Sequence, residues 1–275
     1  MGSLSKPWSK VAGWLAEARD SLVSIAFPAP CRLCERPLVT ASRVPICGEC
    51  LASFVPVPQP FCPCCGRWIV SAQAAQLRQP LCRLCLLGTY AFDRARSYAV
   101  YDGAIVHAMI LLKYEAIEPL GGWFGDRLAE VLRREPESLT ADVVVPVPLH
   151  RDRQRERGYN QADLIARPLA RRLGLPCRSI LLVRTKPRPD KLHLSLHERW
   201  LSVRGAFAPR PGSRVDNLRV LLIDDVMTTG ATLDACARAL RQAGAAAVYA
   251  LTVARAPRGS PVPPVARTKP MGTSL

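Results

Sequence analysis

The chain has few aromatic residues. Phe, Trp and Tyr together make up 6% of its 275 positions, too few for a surface that holds nucleic acid mainly by stacking bases. Stacking would rest on single residues, with Trp68, Tyr90, Tyr159 and Trp200 as candidates. Acidic residues are also in deficit: 22 Asp and Glu stand against 38 Lys and Arg, a formal net charge of +16. That balance favours polyanions such as phosphorylated metabolites, nucleic acid or anionic lipid, although a solvated basic surface has the same composition. No run of eighteen apolar residues occurs, so a membrane span is not expected. A secretory signal is not expected either, because Lys6, Lys10, Glu17, Arg19 and Asp20 interrupt the N-terminus. The expected compartment is the cytoplasm.

What is present suits one α/β domain with a smaller module. Residues 1–30 read as a helical arm, with Trp8, Val11, Leu15 and Leu22 at roughly helical spacing and a proline-rich stop at Phe27-Pro28-Ala29-Pro30. Residues 31–92 are rich in Cys and Pro and weak in periodicity, and such a segment needs metal to fold. Residues 93–257 alternate strand-like apolar runs with helical patterns. Strands are expected at 97–101, 142–148, 181–184, 218–223 and 246–254, and helices at 103–114, 123–134, 160–173 and 231–242. This alternation predicts an α/β fold, a parallel sheet flanked by helices on both faces. Residues 258–275, dominated by Pro, Gly and Ser, read as a disordered tail.

Of eleven cysteines, eight fall in four C-x-x-C pairs: Cys31/Cys34, Cys47/Cys50, Cys62/Cys65 and Cys82/Cys85. In a reducing compartment such knuckles point to thiolate metal sites rather than disulfides. Twelve residues separate Cys34 from Cys47, and sixteen separate Cys65 from Cys82. Two knuckles at these distances can close a tetrahedral four-cysteine site, as in zinc ribbons. Sequential pairing gives one Zn²⁺ on Cys31, Cys34, Cys47 and Cys50, and a second on Cys62, Cys65, Cys82 and Cys85. A cross-braced pairing, an iron–sulfur cluster, and Cys64 in place of Cys65 are the alternatives. Four thiolates leave no open position, so the sites are expected to be structural.

The chemistry is concentrated in residues 220–232. Their apolar start reads as a buried parallel strand. Asp224 and Asp225 close it, at the strand end where open α/β sheets bind ligands, and can accept hydrogen bonds from two neighbouring ribose hydroxyls. Two adjacent acids there are costly unless a ligand or partner uses them. Thr228, Thr229, Gly230, Ala231 and Thr232 then offer backbone N–H groups and hydroxyls to a phosphate at a helix N-terminus. The segment resembles the phosphoribosyl-pyrophosphate (PRPP) signature of type I phosphoribosyltransferases. A PRPP site also needs a place for diphosphate. Pro148, His150, Arg151, Arg153, Arg155 and Arg157 follow the strand at 142–148 in what reads as a stiff loop, and guanidinium forks suit phosphate oxygens. The connection at 186–200 shows no clear strand pattern and reads as a basic lid, with Lys191, Ser195 and Arg199 as candidate contacts.

From about residue 21 to 256 the chain is similar to the ComF family. The match runs from Phe27-Pro28-Ala29-Pro30-Cys31 through the double zinc ribbon to Leu111-Leu112-Lys113-Tyr114 and Pro146-Val147-Pro148-Leu149. It continues through Arg155-Glu156-Arg157-Gly158-Tyr159-Asn160-Gln161-Ala162, Leu194-Ser195, Arg204-Gly205-Ala206-Phe207 and the PRPP signature. The resemblance implies a type I phosphoribosyltransferase domain behind an N-terminal zinc module, with PRPP and Mg²⁺ at the site. It also implies a link to natural competence, with single-stranded DNA and the competence helicase and uptake machinery as partners. Two departures stand out. Arg188-Pro189-Asp190-Lys191 replaces a family-like Thr-Pro-x-Gln, and Ser202 stands where Asn is common. No base-reading hood is recognisable. Two other functions therefore stand beside the transferase: a single-stranded DNA-binding module, and a PRPP sensor without turnover.

Overall fold

The computed structural model describes residues 29–38, 42–71, 73, 76, 80–135, 139–187 and 195–257. The expected N-terminal arm before residue 29, the tail from 258 and residues 188–194 of the expected lid, Lys191 among them, lie outside that set. The chain divides into two compact units, one ending at Phe54 and one beginning at Val55. The division falls between the two cysteine groups, so the second group shares a unit with the α/β elements. The sequence reading sets its boundary later, after residue 92.

The first unit holds a knuckle and a one-turn helix, α1 (Gly48–Ala52), around buried Cys31, Ile46 and Phe54. Its knuckle and that of the second unit are the same turn. Cys31 N donates to Arg36 O and Glu35 N to Cys31 O; Cys62 N donates to Arg67 O and Gly66 N to Cys62 O. Glu35 and Gly66 both take positive φ, 61° and 66°. The cysteine module is thus a local duplication.

The second unit runs α2 (Arg83–Leu86), β1 (Arg94–Val100), α3 (Ala104–Tyr114), α4 (Pro119–Arg134), β2 (Val143–Pro146) and α5 (Arg151–Arg157). It continues through α6 (Gln161–Leu173), β3 (Leu182–Arg184), α7 (Leu196–Val203), β4 (Phe207–Pro209), β5 (Arg219–Met227), α8 (Ala231–Gln242) and β6 (Ala247–Arg255). β1, β6, β5 and β2 form a parallel sheet in that order. The expected strand at 181–184 lies outside it: β3 pairs antiparallel with β4 in a separate ribbon. Alternation along the buried strands sorts the core onto two faces. Val220 and Leu222 of β5 join Leu233, Ala237 and Leu240 of α8 in one cluster. Leu221 and Ile223, equally buried, point to the other face, where α4 and α6 pack against the sheet and each other.

Three differences from the sequence reading have a local reason. α4 begins at Pro119 rather than 123, with proline at its first position. The pattern hides this turn because it contains Gly121 and Gly122. At Gly121 a Cβ would lie 2.7 Å from Leu164 O, so glycine is what lets α6 approach. Residues 151–157 form α5 instead of a loop. Their Arg, Gln and Glu are good helix formers, and Gly158 at φ 83° closes the turn. Third, β5 does not stop before the acids but runs through them to Met227, because β6 continues alongside, pairing Asp224 with Thr252 and Met227 with Arg255.

Candidate functional site

The site is built where β2 leaves the sheet. β2 pairs with β5 only as far as Pro146 opposite Ile223. Beyond that register the Asp224–Asp225 edge of β5 has no strand beside it among the described residues, while the other edge stays paired with β6. A crevice at the carboxyl ends of parallel strands follows from this topology.

The loop after β5 is shaped by its neighbours. Gly230 takes φ 86° as the N-cap of α8. A Cβ there would sit 2.8 Å from both Tyr90 Cε1 and Met227 Cε. Thr229 is buried; its Oγ1 accepts from Ala231 N at 3.2 Å and its carbonyl accepts from Tyr90 Oη at 2.8 Å. Thr229 therefore shapes the loop from inside, while Thr228 and Thr232 are partly exposed beside the amides of the first turn of α8. The segment after Cys85 is stapled to that helix. Ala91 N donates to Asp234 Oδ1 at 2.7 Å, and Arg238 Nη2 to Thr89 O at 2.9 Å.

The two acids are not equivalent. Asp224 is partly exposed, and its Oδ1 accepts from Asp225 N at 2.9 Å. Asp225 is buried and lies 2.7 Å from Lys113 Nζ through Oδ2. Burial pushes the Asp225 carboxyl up, but the Lys113 ammonium and a hydrogen bond from Gln161 outweigh it and hold the group below the ordinary carboxylate value. Burial pulls Lys113 down, and the Asp225 charge more than restores it, leaving the ammonium above the ordinary lysine value.

The arginine segment divides between two tasks. Arg151 and Arg155 are exposed on α5, with His150 as its N-cap and Pro148 just before it. Arg157 faces inward instead: its guanidinium lies 5.0 Å from the Tyr114 ring centroid, and Nη1 donates to Gln161 Oε1 at 2.5 Å. Tyr159 Oη donates to Leu112 O at 2.5 Å. Asn160 caps α6, its Oδ1 accepting from Ala162 N and its Nδ2 donating to Val147 O, both at 3.0 Å. Of the expected lid, Ser195 caps α7 in a reciprocal box with Glu198. Arg199 lies within that helix, and Trp200 packs near Tyr90 with ring centroids 5.9 Å apart. Ser195 thus has a local helix-starting role that the lid reading does not include. Ser202, the second departure, donates to Arg199 O at 2.9 Å.

The cysteines assemble as two sequentially paired sets: Cys31, Cys34, Cys47 and Cys50, and Cys62, Cys65, Cys82 and Cys85. Within each, all four Sγ atoms lie within 4.8 Å of one another. A tetrahedral zinc with Zn–S near 2.3 Å requires S···S edges of about 3.8 Å. The Sγ separations of 3.9 Å for Cys31–Cys50, 3.7 Å for Cys34–Cys47 and 3.6 Å for Cys65–Cys82 fit it. Both sets could bind zinc. The second contains Cys65, not Cys64, which resolves that alternative and the cross-braced one. Behind the second set lies Arg255, fully buried, with Nη1 donating to Cys65 O at 2.8 Å and to Met227 Sδ.

The family described as "Phosphoribosyl transferase domain" matches residues 161–267. The chain is 32% identical over 234 residues to the DNA utilization protein YhgH of Salmonella typhimurium, covering 84% of this chain and 99% of that one. It is 33% identical over 142 residues to competence protein F of Haemophilus influenzae, covering 49% and 62% respectively. Competence protein ComFC of Bacillus subtilis matches at 28% over 218 residues, 76% of this chain and 84% of that one. This chain belongs to the ComF family.

Several residues of the candidate site in this ComF-family chain have no role legible in the sequence. Lys113 and Gln161 sit in quoted family motifs, but nothing local says that both meet Asp225. Tyr90 reads from the sequence only as a stacking candidate, and Arg255 carries no signal beyond ending an apolar strand. No described helix is long and apolar enough to cross a membrane.

Proposed function

We propose that this ComF-family chain binds PRPP in the crevice beside β5 and acts as a phosphoribosyltransferase. The observation that carries the reading is the open edge of β5 at Asp224, followed directly by a glycine-gated turn into α8. The 5′-phosphate would lie on the amides of residues 229–232 with the Thr228 and Thr232 hydroxyls, at the positive end of the helix. Asp224 would accept from the ribose hydroxyls, with Asp225 behind it. The diphosphate would face His150, Arg151 and Arg155 across Pro148, where fixed positive charge stabilises the leaving group. In the reaction the C1–O bond to diphosphate breaks with its electron pair on pyrophosphate, and the acceptor's lone pair closes on C1. Asp224 and the ligand's own oxygens would offer a donor set suited to Mg²⁺, which would supply charge neutralisation there.

The names of the relatives support a role in DNA uptake or use, and the thiolate sets suit a reducing cytoplasm. Base stacking receives less support, since Tyr90, Tyr159 and Trp200 all serve internal contacts. Calorimetric titration of PRPP with Mg²⁺, followed by pyrophosphate release with and without single-stranded DNA, tests the proposal. Binding that Asp224→Asn weakens is expected. No heat of binding for the wild-type chain would sink it, and binding without release would leave the sensor in its place.

A further inference from the structure

We propose that Lys113 is the internal counter-ion of the sugar-phosphate site, presented to Asp225 by a purpose-built clamp; this deepens the PRPP reading and rests on it for the ligand. The clamp is visible in three consecutive residues at the end of α3. The Leu112 carbonyl accepts from Tyr159 Oη at 2.5 Å. The Lys113 ammonium lies 2.7 Å from Asp225 Oδ2. The Tyr114 ring lies under the Arg157 guanidinium, 5.0 Å from centroid to Cζ. Arg157 in turn holds Gln161, whose side chain also hydrogen-bonds Asp225. The α5–α6 corner therefore grips the residues on both sides of Lys113 and also touches its partner.

The arrangement solves an electrostatic problem. Two adjacent carboxylates repel a diphosphate ester, and a buried one needs a partner. The ammonium cancels the charge of Asp225, leaving Asp224 as the carboxylate for the ribose. An ammonium has three donors, and the Lys113 side chain keeps 19% of its surface exposed. Lys113 is a positioning residue, acting through Asp225. Its presence predicts that the ligand-free chain does not collect a divalent cation on this acid pair.

The test is Mn²⁺ binding to the full chain without PRPP, read by electron paramagnetic resonance. The wild type should bind no Mn²⁺ tightly at this site. Lys113→Met should gain one Mn²⁺ site, and Lys113→Met/Asp225→Asn should lose it again. With Mg²⁺ present, Lys113→Met should bind PRPP roughly thirtyfold more weakly or worse, as when one partner of a buried charge pair is truncated. The double variant should recover part of that loss. A folded Lys113→Met that gains no Mn²⁺ overturns the proposal. If Lys113→Met unfolds while the double variant folds, the counter-ion role stands; if both unfold, Lys113 serves packing and the proposal fails. The expected Mn²⁺ pattern without wild-type PRPP binding would refute the ligand reading alone.

Discussion

Replacing Arg255 by Met should loosen zinc at the second cysteine set and leave the first unchanged. Arg255 ends β6 with no exposed surface, and its partners are not carboxylates. Nη1 serves Cys65 O and Met227 Sδ, and Nη2 lies 3.8 Å from Cys65 Sγ. Burial pulls its pKa down, and the Cys65 thiolate is the largest opposing influence. Four thiolates around a divalent ion leave a net charge of about −2, so the guanidinium is a counter-charge. At the Nη2–Sγ separation of 3.8 Å, one unit-charge pair attracts by about 4 kcal/mol at an effective dielectric near 20. Desolvating the guanidinium consumes several kcal/mol of such attraction. The expected remainder is the effect of a ligand-supporting group, a loss of roughly 10- to 100-fold in metal affinity. Titration of the zinc-loaded chain with a chromophoric chelator would measure it. The wild type should release two ions, and Arg255→Met should release one of them at ~10- to 100-fold lower chelator strength. Because Arg255 also contacts Met227, just before the turn into α8, amide hydrogen exchange at residues 228–231 should rise. Unchanged release of both ions would refute the argument.

Gly230→Ala should destabilise the chain by roughly 2–4 kcal/mol, from positive-φ strain and displacement of Tyr90 or Met227, and should weaken inorganic phosphate binding; urea unfolding and phosphate titration check both. Asn160→Ala removes a helix cap and leaves Val147 O without its donor, for a loss of about 1–2 kcal/mol in the same unfolding assay. The Lys113–Asp225 pair sets a pH window. The Asp225 pKa is depressed below its ordinary 3.8, so its contribution is present above that value and is lost as pH falls through the folded pKa. The Lys113 pKa is raised above 10.5, so its contribution is present below that value and is lost as pH rises through the folded pKa. Stability measured against pH should therefore lose part of its acid limb in Asp225→Asn and part of its alkaline limb in Lys113→Met.

Much of this architecture is written locally. The spacing of the four C-x-x-C pairs predicts two four-cysteine sets, and each knuckle closes through hydrogen bonds a few residues apart. Asn160 and Gly174 mark the ends of α6, because caps act over one turn. The apolar run before Asp224 predicts a buried strand, since burial on both faces removes the alternation of polar residues. α5 escapes the sequence reading because the prolines before it suggest a loop, although the helix propensity of its own residues points the other way.

The partners of the site are a different matter. Tyr90 reaches Thr229 across 139 positions, and Arg255 reaches Cys65 across 190. Asp225 meets Lys113 from α3 and Gln161 from α6. The sequence alone determined most of the strands and helices, the four cysteine knuckles and the candidate phosphate-binding segment, because those properties depend on near neighbours. Only the tertiary structure decided which carboxylate is neutralised, which arginine turns inward and what abuts the turn into α8. Those contacts arise from strand order and helix packing, which bring together side chains that no local periodicity relates.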